Sequence, residues 1–182
     1  MKMYILGFGL IAFSLNGMAG DSLPDGWKFY EKSSKKSAYE AGSAFYLRGT
    51  VPGLFLDPKS TESDSGQFYR SFSPSEYLGK RISISMSMKF EPDGIGYGGV
   101  WVNVRNGSEL VMGGWEAVSE KEGQRWVKRE IVLDVPEKSS LITLGAQIFG
   151  NGHLWFKDVK IEVVSESIKV KNLFPEFKMK KE

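Results

Sequence analysis

The chain contains no cysteine and a single histidine, and each scarcity closes off a class of chemistry. Without thiols there is no disulfide, no cysteine-ligated metal and no thiol nucleophile, so stability must come from an apolar core. His153 has no Gly-x-Ser-x-Gly elbow to serve, so a Ser-His-Asp triad lacks its nucleophile. One imidazole without partner ligands also makes a poor metal centre, and no metal is expected. No excess of one charge sign is present either: 24 basic residues face 22 acidic ones, a net +2. Such a balance lacks the basic stripe that answers a phosphate backbone, which argues against nucleic acid. The glycines of Asp93-Gly94-Ile95-Gly96-Tyr97-Gly98-Gly99 are followed by no Lys-Ser pair and no helical pattern. They read as loose glycines at a strand entry rather than a phosphate loop, and no cofactor is expected.

The first segment stands apart from the rest. Met1-Lys2 is a short positive start, Met3 to Leu15 is mostly apolar, and Gly17 and Ala19 are the small residues a signal peptidase requires. The apolar run is shorter than the roughly 20 residues that span a bilayer. Residues 1–19 are therefore expected to be a cleaved signal peptide, with a secreted or periplasmic product and no membrane attachment after cleavage. What remains of the 182 residues suffices for one domain with a full core.

Within that domain the pattern has a period of two. Ile82, Ile84, Met86, Met88 and Phe90 alternate with Ser83, Ser85, Ser87 and Lys89, the signature of a strand with one face buried and one wet. Val100, Val102 and Val104 alternate in the same way with Trp101, Asn103 and Arg105. Asn106-Gly107 is a hairpin signal that should fold Glu109 to Met112 back beside them. Further strands are expected at Trp27 to Tyr30, Ala44 to Arg48, Gly66 to Phe72, Trp126 to Val135, Leu141 to Phe149 and Gly152 to Val164. Two long polar connections, Thr50 to Ser65 and Gly113 to Gly123, separate some of them. Acids of the first, Asp57, Glu62 and Asp64, match no calcium-loop spacing and read as a solvated loop. Eight to ten short strands punctuated by Gly, Pro and Asn predict an all-β sandwich of two antiparallel sheets over residues 20–165, followed by an extension, 166–182, partly docked on it.

Several pieces together resemble the galactose-binding-like jelly rolls, the superfamily that includes many carbohydrate-binding modules. They are Tyr77-x-Gly79-Lys80-Arg81-Ile82, Val100-Trp101-Val102-x-Val104, Trp126 with Val132-Leu133-Asp134-Val135-Pro136, Gly145, and Gly150-x-Gly152-x-Leu154-Trp155-Phe156-x-Asp158-Val159. The resemblance spans about Gly26 to Val164 and implies a jelly-roll sandwich whose relatives bind sugars, proteins or lipids. Many such chains carry paired acids in the closing strand; here Lys157 stands beside Asp158, so no ligand role is carried over to that edge.

Strand alternation nominates a binding face. Trp101, Asn103 and Arg105 turn away from the valine set, and on Leu141 to Phe149 the same reasoning turns Thr143, Gln147 and Phe149 outward. Placed in one sheet with Ser83, Ser85 and Ser87, these side chains would make an aromatic and hydrogen-bonding platform, rimmed by Trp115 and Tyr97 from loops. The expected ligand-binding residues are thus Trp101, Asn103, Arg105, Gln147 and Trp115, unless a loop or the C-terminal tail covers Trp101. Trp126 and Trp155 are expected in the core. The leading reading is a non-catalytic module for glycan or another extracytoplasmic polymer. A protein-docking accessory module is the second. A small hydrolase using acids among Glu109, Glu116, Asp134 and Glu162 is the third.

Overall fold

The computed structural model describes residues 25–32, 39–42, 46–49, 64–118, 122 and 125–175. The expected signal peptide and the polar connection holding Asp57 and Glu62 lie outside these residues.

Among the described residues eight strands run in the order β1 (Trp27–Lys32), β2 (Tyr39–Gly42), β3 (Tyr46–Gly49), β4 (Ser65–Phe72), β5 (Arg81–Asn106), β6 (Glu109–Val118), β7 (Val127–Asp134) and β8 (Leu141–Val163). Every pairing among them is antiparallel. Two strands are far longer than the rest, and they generate the two layers. The second half of β5 pairs with β6 and with the first half of β8, which in turn pairs with β4, and β4 with β1. The first half of β5 pairs with β7 and with the second half of β8, which pairs with β3, and β3 with β2. Each layer is thus five-stranded, and β5 and β8 pass together from one into the other.

The crossing lies where the sequence promised breaks. The register of β5 against β8 shifts between Pro92 and Gly96. Proline brings no amide proton to the ladder, and opposite it Gly150 (φ 67°) and Gly152 (φ 139°) adopt backbone angles that favour glycine. A Cβ on Gly96 would stand 1.9 Å from the carbonyl oxygen of Asn151, so only glycine lets the strands bend in contact. Four expected strands are therefore two bent ones.

Between the layers lies the core. Ile82, Ile84, Met86, Met88 and Phe90 of one layer meet Phe68, Val100, Val102, Val104, Ile142, Leu144, Ala146 and Ile148 of the other, all fully buried or nearly so. The alternation in the sequence selected these residues correctly. Two expectations fail here. Trp126 is 45% exposed, with the Lys157 ammonium 4.3 Å above its ring, and Trp155 is half-buried beneath Lys89. Trp155 alternates with the buried Leu154 and Phe156, so its position in the strand turns it outward. Ser83 and Ser85 are also buried rather than wet, and the Ser83 hydroxyl donates to Glu130 of β7 at 2.6 Å.

Past β8 the chain does not leave the sandwich. Residues 165–174 return along β7 and cross to β6, with bridges at Val132↔Lys171 and Gly114↔Leu173. Lys171 N–H and Val132 N–H exchange hydrogen bonds at 3.0 and 3.2 Å. Arg81, held by Asp134, donates to the carbonyls of Glu166 and Ile168, while Lys171 pairs with Glu130 at 2.5 Å. Leu173, 6% exposed, enters the core. This strap closes the gap between the edge strands of the two layers.

Candidate functional site

The site lies on the outer face of the layer β1–β4–β8–β5–β6, and the register says why. Tyr69, Gly145, Trp101 and Trp115 form one row across β4, β8, β5 and β6. Gln67, Gln147, Gly99 and Ala117 form the next, and Ser65, Phe149 and Tyr97 a third. All are odd-numbered positions of strands whose even-numbered side chains face the core on this layer.

A groove of about 430 Å³ runs over these rows, lined by Gln67, Tyr97, Trp101, Asn103, Trp115, Gln147, Phe149 and Phe174. Its depth depends on glycines, because large rings lie flat only where the opposite position has no side chain. A Cβ on Gly145 would be 2.8 Å from the Trp101 indole, and one on Gly99 2.6 Å from the Trp115 ring. Trp101 therefore reclines into the floor and is 9% exposed, while Trp115 leans towards Tyr97 and Phe149. Those three rings form a wall: Tyr97 stacks on Phe149 at 4.7 Å, and Trp115 meets both edge-on at 6.5 and 5.8 Å. Burial in this cluster holds the Tyr97 hydroxyl above its ordinary pKa, so it stays neutral over the physiological range.

Two polar atoms of the lining residues are fully buried and have no hydrogen-bond partner among the described residues. One is the Trp101 Nε1–H, a donor; the other is Asn103 Oδ1, an acceptor. Leaving such groups buried and unbonded costs roughly 1–3 kcal/mol each. No lining residue carries a formal charge.

The structure gathers Trp101, Asn103, Gln147 and Trp115 in one groove and leaves out Arg105. Arg105 lies on the same face, but its guanidinium donates at 2.7 Å to the Ser108 carbonyl across the hairpin turn. Trp115 and Tyr97 are strand residues, not loop residues, because β6 continues to Val118 through Gly113 and Gly114. The serines of the first half of β5 belong to the other layer, so they do not extend the platform. Of the residues missed from the sequence, Gln67 and Phe149 follow from alternation once the strand order is known. Phe174 had no signal, since nothing in the tail says where it docks.

The acids considered for hydrolysis are dispersed. Asp134 grips Arg81 at 2.6 Å, Glu116 accepts the Glu130 amide at 2.6 Å, and Glu109 and Glu162 are exposed elsewhere. None lines the groove. Among the described residues no group of three His, Asp or Glu side chains could hold a metal.

No family model matches the sequence. Solved structures share the fold, and two of them illustrate it. One is a CBM4 carbohydrate-binding module, 15% identical, with a TM-score of 0.50 over 82% of this chain and 93% of that one. The other is the enzymatically active domain of tailspike protein 4 of bacteriophage CBA120, 10% identical, with a TM-score of 0.51 over 77% of this chain and 20% of that one. The jelly-roll resemblance read from the sequence is thus borne out as a fold. Among curated proteins the chain is 28% identical over 146 residues to the Bacillus subtilis protein named uncharacterized HTH-type transcriptional regulator YbfP. The match takes in 76% of this chain and 45% of that relative, so the chain corresponds to less than half of it.

Proposed function

We propose that this chain is a non-catalytic binding module whose groove takes a neutral glycan. The observation that carries the reading is the groove itself, walled by the rings of Tyr97, Trp115 and Phe149 and lined otherwise by neutral amides. A ligand for this groove must both donate to and accept from the side-chain amides that line it. Sugar hydroxyls do both, and the apolar faces of pyranose rings suit indole and phenol surfaces. Gln67 and Gln147, on neighbouring strands, supply further amide donors and acceptors. An uncharged lining gives no counter-ion to a carboxylated or phosphorylated ligand, whose desolvation would go uncompensated. The fold shared with a carbohydrate-binding module agrees with this reading without carrying it.

Isothermal titration of the protein with neutral β-linked hexasaccharides, beside a uronate-containing oligomer, tests the proposal. Heat from at least one neutral oligomer and none from the uronate is expected; binding of the uronate alone would overturn it.

A binding rather than catalytic role is also consistent with the similarity to YbfP. The matched segment corresponds to an all-strand fold, so in our reading it would serve that regulator as a ligand-binding portion. Export is a separate proposal resting on residues 1–19. N-terminal sequencing of exported protein should find a start at or near Gly20, and retention of Met1 would refute it.

A further inference from the structure

We infer that Phe174 is a ligand-contacting, specificity-determining wall of the groove, and that docking of the strap that carries it is coupled to ligand binding. The inference rests on the glycan reading of the groove. Phe174 comes from outside the eight strands, yet its ring stands over Gly113, beside Asn103 in register, on the side of the groove away from the Tyr97–Phe149 stack. The place is kept open for it. A Cβ on Gly113 would lie 2.7 Å from the Phe174 ring, and one on Gly114 2.4 Å from the Asn172 carbonyl oxygen.

The strap's hydrogen bonds bracket the groove strand. Trp115 N–H donates to Asn172 O at 2.9 Å, and Phe174 N–H donates to Gly113 O at 3.0 Å. The backbone that seats Phe174 is therefore the backbone that seats Trp115, and a sugar held between them touches both. With the strap undocked, the groove loses one wall and Trp115 loses the partner of its amide. Ligand then binds the docked state better than the undocked one, and linkage makes the effect reciprocal: ligand must hold the strap down by the same factor.

That equality is the test. Phe174→Ala keeps Leu173 in the core and the strap's backbone bonds, so the fold should survive. It should weaken binding of the neutral hexasaccharide taken up by the wild type about fivefold to tenfold, the weight of one aromatic contact. Phe174→Tyr should restore most of the loss. In the wild type, amide exchange at Trp115, Lys171 and Phe174 should slow by a similar factor at saturating hexasaccharide, while exchange in β1, at the far edge of the layer, stays unchanged. A wild type that binds no neutral oligosaccharide overturns the glycan reading and this inference with it. A wild type that binds, with Phe174→Ala equal in affinity or strap exchange indifferent to ligand, overturns the inference alone and leaves the reading intact.

Discussion

Replacing Trp101 with phenylalanine separates a groove built for a ligand from a hydrophobic patch that happens to be dented. The substitution keeps an aromatic ring on the floor over Gly145 and removes the Nε1–H that has no partner. Two effects on stability oppose each other. The smaller ring leaves a void of about 40 Å³, which at about 24 cal/mol per Å³ costs about 1 kcal/mol. Losing an unbonded buried donor returns about 1–3 kcal/mol of desolvation. Stability should consequently hold or rise by up to about 2 kcal/mol, read as the urea midpoint at unchanged slope. Ligand affinity should move the other way. The smaller ring offers a pyranose less stacking surface, a loss of about 0.5–1.5 kcal/mol, so titration with a neutral hexasaccharide should show a Kd weaker by up to about tenfold. Protein that is no less stable but binds worse is the mark of a floor shaped for a ligand rather than for the fold. A Trp101→Phe protein that loses more than about 2 kcal/mol while binding as tightly as wild type would refute the reasoning, because the indole would then be a packing residue only. Trp101→Ala cannot make this distinction. At 9% exposure its loss should cost about 3 kcal/mol, destroying floor and stability together.

Four other outcomes are expected. Arg105→Ala should leave oligosaccharide affinity within about twofold, because its guanidinium is spent on the Ser108 carbonyl and lies outside the groove; titration checks this. Trp126→Ala should cost no more than about 1 kcal/mol in urea melts, since only an exposed ring and its Lys157 contact disappear. Gly145→Ala should both destabilise the fold and abolish binding, because the new methyl would stand 2.2 Å from the Phe68 carbonyl oxygen and 2.8 Å from Trp101; melts and titration together read it. Glu130, whose pKa is lowered by its bonds to Lys171 and then Ser83, should stabilise the strap above the ordinary glutamate pKa; that contribution should fade as pH falls through the lower folded value, seen as faster strap exchange after correction for intrinsic rates, and Glu130→Gln should remove the pH dependence.

The fold was legible because burial writes itself in period two. Ile82 to Phe90 and Val100 to Val104 declare their inward faces without reference to anything else in the chain, and Asn106-Gly107 declares its hairpin. The two bent strands were not legible, for a related reason. Pro92 and the glycines at 96, 150 and 152 break a ladder in the same vocabulary whether the chain turns back or bends on into the second layer. Which of the two occurs depends on the partner strand bending at the same level, a fact of pairing rather than of local sequence. Trp126 and Trp155 misled because tryptophan is usually buried, whereas their places beside Lys157 and Lys89 are set by the register of β8.

The site was legible to the extent that it is alternation. Trp101, Asn103 and Gln147 face outward by parity, and Trp115 joins them because β6 keeps the register across Gly113 and Gly114. Arg105 obeys the same parity and still falls outside, since its flexible guanidinium bonds the Ser108 carbonyl of the hairpin turn instead of staying over the face its Cβ chooses. What parity cannot supply is depth. A row of outward aromatics on a flat sheet gives a patch; here Gly145, Gly99 and Gly113 each receive a ring from a neighbouring strand or the strap, and the rings recline into a floor and two walls. Trp101 Nε1, packed over Gly145, and the side-chain oxygen of Asn103 are left buried with no hydrogen-bond partner among the described residues. A chain optimised for stability alone would fill those glycine positions or satisfy those atoms. On the proposed reading, a ligand seated in the groove offsets the cost of keeping those glycines open, and this is what the Trp101→Phe and Gly145→Ala measurements weigh.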